Sequence, residues 1–445
     1  MRVLIQLRSS KAAHAASLTA RAQPTLTASL TEAVAGLTID PSYPPVQVPG
    51  VTGDGGAPLH SLAQPLTFSA KPADSTYLVR GQIADGSGRA AAYSSATSHP
   101  DVVGIYSDPL IESCITCGGT PPVGNTSKVA SRLSVAALKA KGMNGKGVFL
   151  AIVDTGINLA YLQAHGLSPT LNVAKSWTPA GVATTPGQHP VNHGTMCAFD
   201  TAIAAPKATL LDYAVLLSKT PGATVMAGLL SDAVLAYSKL MAIISAMPKA
   251  KRAMVVSNSW GMFSPAWDFP PGHPGNYSDN PAHPFNIIVS ALEAAGADIL
   301  FAAGNCGLNC PDGRCNFGTT HPICGANSSP AVMSIAGVDT LNKRVGYSSQ
   351  GPGRLTSKKP DFASYTHFLG SEVFGAGDPD SGTSAACPVA AGAVAAVRTK
   401  HPATKISPLQ MRSLIAKTAT DAGNPGFDFD YGAGIINVKK LMAAL

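Results

Sequence analysis

Residues 148–157 read VFLAIVDTGI, a continuous apolar run that ends in an aspartate and a glycine turn. Unbroken apolar strands of this kind are typical of parallel sheets that are buried on both faces. Similar segments follow, separated by helix-like sequence, at residues 209–216, 253–260, 298–305 and 331–338. The pattern predicts an α/β fold in which helices cover both faces of a parallel sheet. Active sites of such folds lie at the carboxyl ends of the strands, where Asp154, Ser259 and Asn305 fall.

A serine hydroxyl becomes an effective nucleophile only when a base removes its proton and a third group orients that base. His193 opens helix-like sequence, and Ser384 begins an apolar helix, where free backbone N–H groups favour negative charge. Each motif alone is typical of a turn or a helix cap. Together they predict a serine hydrolase with Ser384 as nucleophile, His193 as general base and Asp154 as the carboxylate that orients it. Asn305 is the predicted donor to the oxyanion.

From about Ser131 to its C-terminus the chain resembles the subtilisin-like serine proteases (subtilases). The segments that carry the resemblance are GVFLAIVDTGI, NHGTMCA, NSWG, AAGN and GTSAACPVAAG. The resemblance implies a seven-stranded parallel sheet and hydrolysis of protein or peptide substrates through an acyl-enzyme. It also implies that the substrate backbone binds to two segments, whose residues are Ser259, Trp260, Gly261, Ala303 and Gly304.

Residues 1–113 differ in character from the rest of the chain. Strand-like and helix-compatible segments flank a Pro/Gly-rich stretch, which predicts a small α+β unit. The family resemblance implies a ferredoxin-like propeptide that assists folding and inhibits its own active site. Residues 114–130 are then a processing linker and residues 131–445 the catalytic domain. The protein is therefore expected to be a self-processing zymogen.

Self-cleavage is expected within Ser113–Cys117, in the sequence that contains Cys114 and Ile115, and above all after Cys114. That register places Ile111 four residues into the acyl side, where an apolar pocket near Trp260 could hold it. Cys114 and Cys117 could close a small ring, which would bend the backbone away from the extended form that a protease requires. They are therefore expected to be unpaired with each other, and the cut propeptide to stay bound by non-covalent contacts alone.

The chain contains eight cysteines, an even count. Four lie close together without the paired C-x-x-C of a zinc ribbon, which favours two disulfides over a metal site; they are Cys306, Cys310, Cys315 and Cys324. Their pairing stays open. Cys197 and Cys387 are expected beneath the active site, as two buried thiols or as a disulfide. Disulfides indicate a secreted or periplasmic protein, although the N-terminal MRVLIQLRSS does not read as a signal peptide.

Composition argues against several other functions. Charged residues make up 13% of the chain, and its net charge is +7. Lysine and arginine are clustered only at Lys249–Arg252, so no nucleic-acid partner is expected. No apolar run is long enough to span a bilayer, and a monomer is expected. Neither a cofactor nor a metal is expected, although the resemblance allows structural calcium, which is frequent in the family. Trp260 and Met262 indicate a preference for apolar or aromatic substrate side chains.

Other serine hydrolases fit the motifs poorly. An α/β-hydrolase needs Gly-x-Ser-x-Gly and the order Ser, Asp, His, whereas Ser384 lies in GTSAA and comes last. Chymotrypsin-like enzymes use the order His, Asp, Ser on β-barrels, and sedolisins replace both His193 and Asn305. Two alternatives on the same fold stay open: a peptide ligase or cyclase, and a stably inhibited zymogen that acts as a binding protein.

Overall fold

The computed structural model describes most of the chain, namely residues 1–8, 30, 34–51, 66–67, 76–114, 116, 118–219, 226–316 and 321–445. Part of the Pro/Gly-rich stretch and the processing residues Ile115 and Cys117 lie outside the described residues. Within the described part of the chain, no helix is long and apolar enough to cross a membrane.

The N-terminal unit is an antiparallel sheet with helix α1 (Arg89–Thr97) on one face. The strands of this part of the chain are β1 (Arg2–Arg8), β2 (Leu37–Ile39), β3 (Val46–Val48), β4 (Gly50–Val51), β5 (Leu66–Thr67), β6 (Thr76–Ile83) and β7 (Val102–Ser107). The sheet order is β2-β6-β1-β7, with β3 also paired to β6, while β4 and β5 form a separate ribbon. The predicted small α+β unit is confirmed.

Both faces of this N-terminal sheet are covered, because alternate side chains of a strand point to opposite faces. On β1, Val3, Ile5 and Leu7 join the apolar cluster that includes α1. Leu4 joins a different cluster, which is formed mainly by the larger domain. β1 is therefore buried from Val3 to Leu7, because each face meets its own apolar layer.

The larger domain contains the remaining elements. In chain order they are β8 (Leu110–Ser113), α2 (Thr126–Arg132), α3 (Val135–Ala140), β9 (Phe149–Val153), α4 (Leu159–Ala164), β10 (Thr170–Leu171), α5 (His193–Ala202), β11 (Thr209–Tyr213), β12 (Ala227–Leu229), α6 (Leu230–Ala246), β13 (Met254–Asn258), β14 (Trp260–Gly261), α7 (Pro284–Ala294), β15 (Ala297–Ala302), β16 (Met333–Val338), β17 (Phe362–Tyr365), β18 (Phe368–Leu369), β19 (Pro379–Asp380), α8 (Thr383–Arg398), α9 (Pro408–Thr418) and α10 (Val438–Ala444). Seven strands form one parallel sheet in the order β10-β11-β9-β13-β15-β16-β17, which confirms the α/β prediction.

Helices cover the two faces of the parallel sheet in separate apolar layers. α5, α8, α9 and α10 contribute to one layer, and α6 and α7 to the other. α8 is buried at every position. A Cβ at Gly392 would lie 2.4 Å from the carbonyl oxygen of Thr201 on α5. Small side chains therefore let α8 approach both α5 and the sheet closely, and this fixes the start of α8 at the carboxyl edge.

A three-stranded antiparallel sheet, in the order β12-β8-β14, joins the N-terminal unit to the larger domain. Its middle strand, β8, follows the N-terminal unit directly. The predicted linker at residues 114–130 is too long, because the chain is helical from Thr126. Asn125 caps α2 by accepting from the backbone N–H of Lys128 at 3.0 Å, and Val129 packs into the core. The connection therefore ends near residue 125.

Candidate active site

Asp154 and His193 lie together at the carboxyl edge of the parallel sheet. Asp154 follows β9, and His193 is the first residue of α5, where the side chain of Asn192 accepts from the His193 backbone N–H at 2.7 Å. His193 Nδ1 is 2.8 Å from Asp154 Oδ1, and both side chains are buried. An ionised carboxylate only accepts hydrogen bonds, so Nδ1 carries the proton and Nε2 is left as a base. Among the described residues, Nε2 has no hydrogen-bond partner.

Ser384 lies in the first turn of α8, where backbone N–H groups have no partner within the helix. Its hydroxyl is buried and has no hydrogen-bond partner among the described residues. The hydroxyl of Ser259 donates to the Ser384 carbonyl oxygen at 3.0 Å. The Ser259 side chain therefore supports the backbone of Ser384, while the predicted role of its segment in binding the substrate backbone stays a prediction.

The side chain of Asn305 is held in one orientation by Thr383. Asn305 Oδ1 accepts from the backbone N–H of Thr383 at 2.9 Å and from its hydroxyl at 3.0 Å. A Cβ at Gly382, whose φ is +79°, would lie 2.8 Å from Asn305 Nδ2 and 3.3 Å from the backbone N of Ser384. Glycine therefore keeps open the space between two N–H donors, which is the arrangement needed to bind an oxyanion.

The chain's own segment β8 occupies the cleft in front of these groups. Ser113 pairs with Trp260 and Glu112 with Gly261 on one side, and β12 pairs with β8 on the other. Beyond the strand, the Thr116 hydroxyl lies 3.3 Å from that of Ser381. β8 therefore has the extended form in which a protease binds substrate, and Thr116 lies beside the residues that precede α8.

The side chain of Cys114 fills a narrow pocket. The pocket walls come from three segments and consist of Gly261, Met262, Phe263, Ala303, Gly304, Cys306, Pro322, Cys324 and Asn327. About 10 Å³ stays free beside Cys114, roughly the room for one water molecule. Burial raises the pKa of the Cys114 thiol to about 12, against smaller lowering by Arg314 and by the Ser384 hydroxyl. The occupant is therefore a small, neutral side chain close to Ser384.

Ala303 and Gly304 line this pocket. Trp260 contributes to the cleft through its backbone pairing, while its side chain is buried against Phe285 and Phe301. The side chain of Ile111 is fully buried in the same apolar cluster as Trp260. The segment of Trp260 therefore pairs with β8, and the segment of Ala303 and Gly304 lines the pocket beside Cys114.

On the far side of Cys114, a larger cavity of about 600 Å³ opens from the cleft. Its lining includes His193, Met196, His367 and Ser381, together with residues 118–122 of the connection. The cavity therefore lies on the side of Cys114 toward which the chain continues, at Thr116 and Gly118.

The cysteines pair differently from the prediction. Cys306 bonds to Cys315, Cys310 is also disulfide-bonded, and Cys324 is a free buried thiol. The partner of Cys310 is therefore not one of the other three, and the expectation of two disulfides within this group is wrong. Cys114 is a free thiol, which confirms that it is not paired with Cys117.

Cys197 and Cys387 are both free buried thiols, not a disulfide. Cys197 Sγ lies 3.7 Å from Asp154 Oδ2 and 3.6 Å from the Ser384 carbonyl oxygen. Burial raises the pKa of Cys197 far above its ordinary value and that of Cys387 to about 12. Asp154, His193 and Cys197 form the one described cluster of potential metal-binding side chains. Within this cluster the 2.8 Å contact of His193 Nδ1 with Asp154 Oδ1 has the geometry of an Asp–His pair.

Three residues of the site were missed from the sequence. Thr383 orients Asn305, and Asn327 Nδ2 donates to the carbonyl oxygens of Trp260 at 2.9 Å and Ala302 at 3.0 Å. Arg314 contacts β8 from the loop closed by the Cys306–Cys315 disulfide. Its only signal in the sequence is an Asp-Gly-Arg triplet between two cysteines.

A parallel α/β domain with a substrate-like strand in front of this edge has the arrangement of a serine peptidase. Residues 145–434 match the model of the subtilase family, so the chain belongs to the subtilase family and is a serine endopeptidase. Its substrates are proteins or peptides.

Known relatives agree with this assignment. Subtilisin E of Bacillus subtilis (strain 168) is 26% identical over 309 residues, which span 69% of this chain and 69% of that protein. Subtilisin Savinase of Lederbergia lenta is 27% identical over 319 residues, which span 69% of this chain and 96% of that protein. The crystal structure of a lanthipeptide protease is similar with a TM-score of 0.51 at 18% identity, covering 71% of this chain and 93% of that one, which shows the shared fold.

Proposed function

We propose that this chain is a zymogen that cuts itself after Cys114 and then acts as an endopeptidase with Ser384 as its nucleophile. The observation that supports this best is the position of β8 in the cleft, with Cys114 in the pocket beside Ser384. The pairing of His193 Nδ1 with Asp154 at 2.8 Å supports His193 as the base.

The proposed reaction begins when Ser384 Oγ attacks the carbonyl carbon of Cys114 and its proton passes to His193 Nε2. Asp154 stabilises the resulting imidazolium, and the developing oxyanion accepts from Asn305 Nδ2 and the Ser384 backbone N–H. His193 then gives the proton to the amine of Ile115 as the C–N bond breaks, leaving an acyl-enzyme. Water activated by His193 hydrolyses this ester and regenerates Ser384. Every group in these steps belongs to this chain or is water.

The N-terminal unit is proposed to stay bound as an inhibitor after the cut. Its Tyr43 hydroxyl donates to the Ser231 carbonyl oxygen at 2.9 Å, and Arg80 pairs with Asp232 at 3.1 Å. Asp108 accepts from the backbone N–H and the hydroxyl of Ser231 at 2.7 Å and 2.9 Å. These contacts and the pairing of β8 do not depend on the Cys114–Ile115 bond. The product therefore blocks the cleft until it dissociates or is degraded.

The substrate preference proposed here differs from the one expected from the sequence. P1 denotes the residue whose carbonyl is attacked, and P2 to P4 precede it. Cys114 nearly fills its pocket, with about 10 Å³ left, so small P1 side chains fit and aromatic ones do not. Ile111 is fully buried at P4, which favours a branched aliphatic residue there.

The proposed location is outside the cytoplasm. The Cys306–Cys315 disulfide supports it, because structural disulfides persist in oxidising compartments. Secretion or periplasmic export is therefore part of the proposal.

The test is Ser384→Ala in the full chain, with Ser290→Ala as a matched control. Ser290 lies on α7, and its hydroxyl bonds to the Asn286 carbonyl oxygen. Ser384→Ala should stay uncut and inactive, whereas Ser290→Ala should be processed like the unchanged protein. N-terminal sequencing of the mature fragment should start at Ile115. Processing of Ser384→Ala at the normal rate, or a mature start outside residues 114–118, would contradict the proposal. Longer products in place of hydrolysed ones would favour a ligase.

A further inference from the structure

Arg314 lies beside the substrate-like strand and contacts it through two different groups. Arg314 Nη1 pairs with Glu112 Oε2 at 2.5 Å, and Arg314 Nη2 donates to the Ser113 carbonyl oxygen at 2.8 Å. The Arg314 side chain is 22% exposed and that of Glu112 is 14% exposed, so water screens this pair only in part. In the proposed register, Ser113 is P2 and Glu112 is P3. One arginine therefore contacts both the P2 backbone and the P3 side chain.

The guanidinium is oriented by groups other than β8. Asp312 accepts from Arg314 Nε at 3.1 Å and from Nη2 at 2.6 Å, which fixes one edge of the guanidinium. One face of the guanidinium lies over the Phe263 ring, with Arg314 Cζ 4.5 Å from the ring centroid. None of these contacts depends on Glu112. The group therefore keeps its position when the cleft is emptied.

The loop that carries Arg314 is also tied to the catalytic edge. The Cys306–Cys315 disulfide closes it, and the backbone N–H of Asp312 donates to the Asn305 carbonyl oxygen at 2.8 Å. The backbone N–H of Cys315 donates to the Asp312 carbonyl oxygen at 2.9 Å. A charged group on such a constrained loop is preorganised, so little ordering is required when a substrate binds.

We infer that Arg314 is a specificity-determining residue that selects an acidic side chain at P3, an inference that rests on the proposed function. The side chain of Asp312 is 2% exposed and already balances the charge of Arg314 in the empty cleft. Nη1 is then the guanidinium nitrogen that is directed at the P3 side chain. A glutamate at P3 gains a charge-assisted hydrogen bond, a glutamine gains a neutral one, and a lysine is repelled. The substrate class is peptides with a small P1, an acidic P3 and a branched aliphatic P4.

The test uses processed enzyme from the full chain and fluorogenic peptides of the sequence Leu-Ile-X-Ser-Ala-Ile-Thr. X is Glu, Gln or Lys, and alanine replaces Cys114 at P1 so that thiol oxidation does not interfere. We expect kcat/KM to be about tenfold higher for Glu than for Gln, mainly through KM, and lowest for Lys. The preference for Glu should fall as sodium chloride is raised.

The matched variants are Arg314→Gln and Arg132→Gln. Arg132 lies on α2, bonds to the Thr340 carbonyl oxygen at 3.0 Å and does not contact β8 through any described hydrogen bond. Arg314→Gln should bring the Glu and Gln peptides within about twofold of each other while the Gln peptide is still cleaved. Arg314→Lys should restore part of the preference, and Arg132→Gln should keep all of it.

Equal cleavage of the Glu and Gln peptides by the unchanged enzyme would overturn the inference and leave the peptidase proposal intact. So would a preference for Glu that persists in Arg314→Gln. Absence of cleavage for all peptides would contradict the proposed function and this inference together. A peptide with glutamate moved from P3 to P2 tests whether the position of the charge matters. If the enzyme only attracted acidic peptides in general, this peptide would be cleaved as well as the one with glutamate at P3, and that result would contradict the inference.

Discussion

In a substrate peptide, replacing the P4 isoleucine by alanine should strongly reduce cleavage. Ile111, which occupies that position in this chain, is fully buried. Its backbone pairs with Gly228, and its side chain lies in an apolar cluster with Leu230 and Trp260. The change removes three carbons from this environment. At about 0.8 kcal/mol for each buried CH₂, the loss is about 2.4 kcal/mol. Since about 1.4 kcal/mol is a factor of ten, kcat/KM should fall about 60-fold.

The assay compares peptides that differ only at the position of Ile111, with the processed enzyme held constant. Valine removes one carbon and should cost about fourfold in kcat/KM. The matched control is alanine at the position of Leu110, which is only partly buried on the same strand. That change should cost less than about fivefold, because less apolar surface is involved.

A loss of less than about fivefold for alanine at P4 would refute the reasoning, since it is far below the transfer free energy of three carbons. Equal losses at the positions of Ile111 and Leu110 would also refute it. That pattern would mean that β8 does not represent the register in which substrates bind.

Two further predictions concern the docking of the N-terminal unit and the free energy of unfolding. Burial raises the pKa of Asp108 to about 6, against lowering by hydrogen bonds from Ser231. Because the docked unit favours the protonated form of Asp108, the docking equilibrium should be strongest below about pH 4. The docking equilibrium constant should then fall, by up to about tenfold per pH unit, as the pH rises through about 6. In Ser384→Ala protein, hydrogen exchange of β1 should show this dependence, and Asp108→Asn should abolish it. Arg398→Met leaves Asp298, its partner in a fully buried ion pair, charged and unpaired, and should cost about 3–5 kcal/mol in urea unfolding. A cost below about 1 kcal/mol would contradict the assigned pairing.

Much of the catalytic edge could be predicted from local sequence. The strand that ends in Asp154 is an unbroken apolar run, and Ser384 precedes a run of small apolar residues, so both boundaries are visible along the chain. Short strands are less evident: β10 has two residues and β17 four. Such segments form because a neighbouring strand pairs with them, which is a tertiary effect that leaves little periodicity to detect.

The cysteines show what their spacing along the sequence can predict and what it cannot. Four of them within a short segment predict disulfides, and the Cys306–Cys315 bond is present. The free thiol of Cys324 lies in the wall of the pocket beside Cys114, which no count of cysteines could reveal. A disulfide needs two sulfur atoms at bonding distance in the folded chain, and the path of the loop decides that distance.

Local sequence by itself determined the sheet type, and it supplied the predictions of the catalytic groups and of the register of Cys114 and Ile111. These depend on hydrophobic pattern and on residue chemistry, which act over neighbouring positions. Only the tertiary structure decided that Ser259 supports Ser384, that the pocket beside Cys114 is narrow, and that Arg314 contacts Glu112. Each of these contacts joins segments more than 100 residues apart, where packing of the whole domain sets the distance between the atoms.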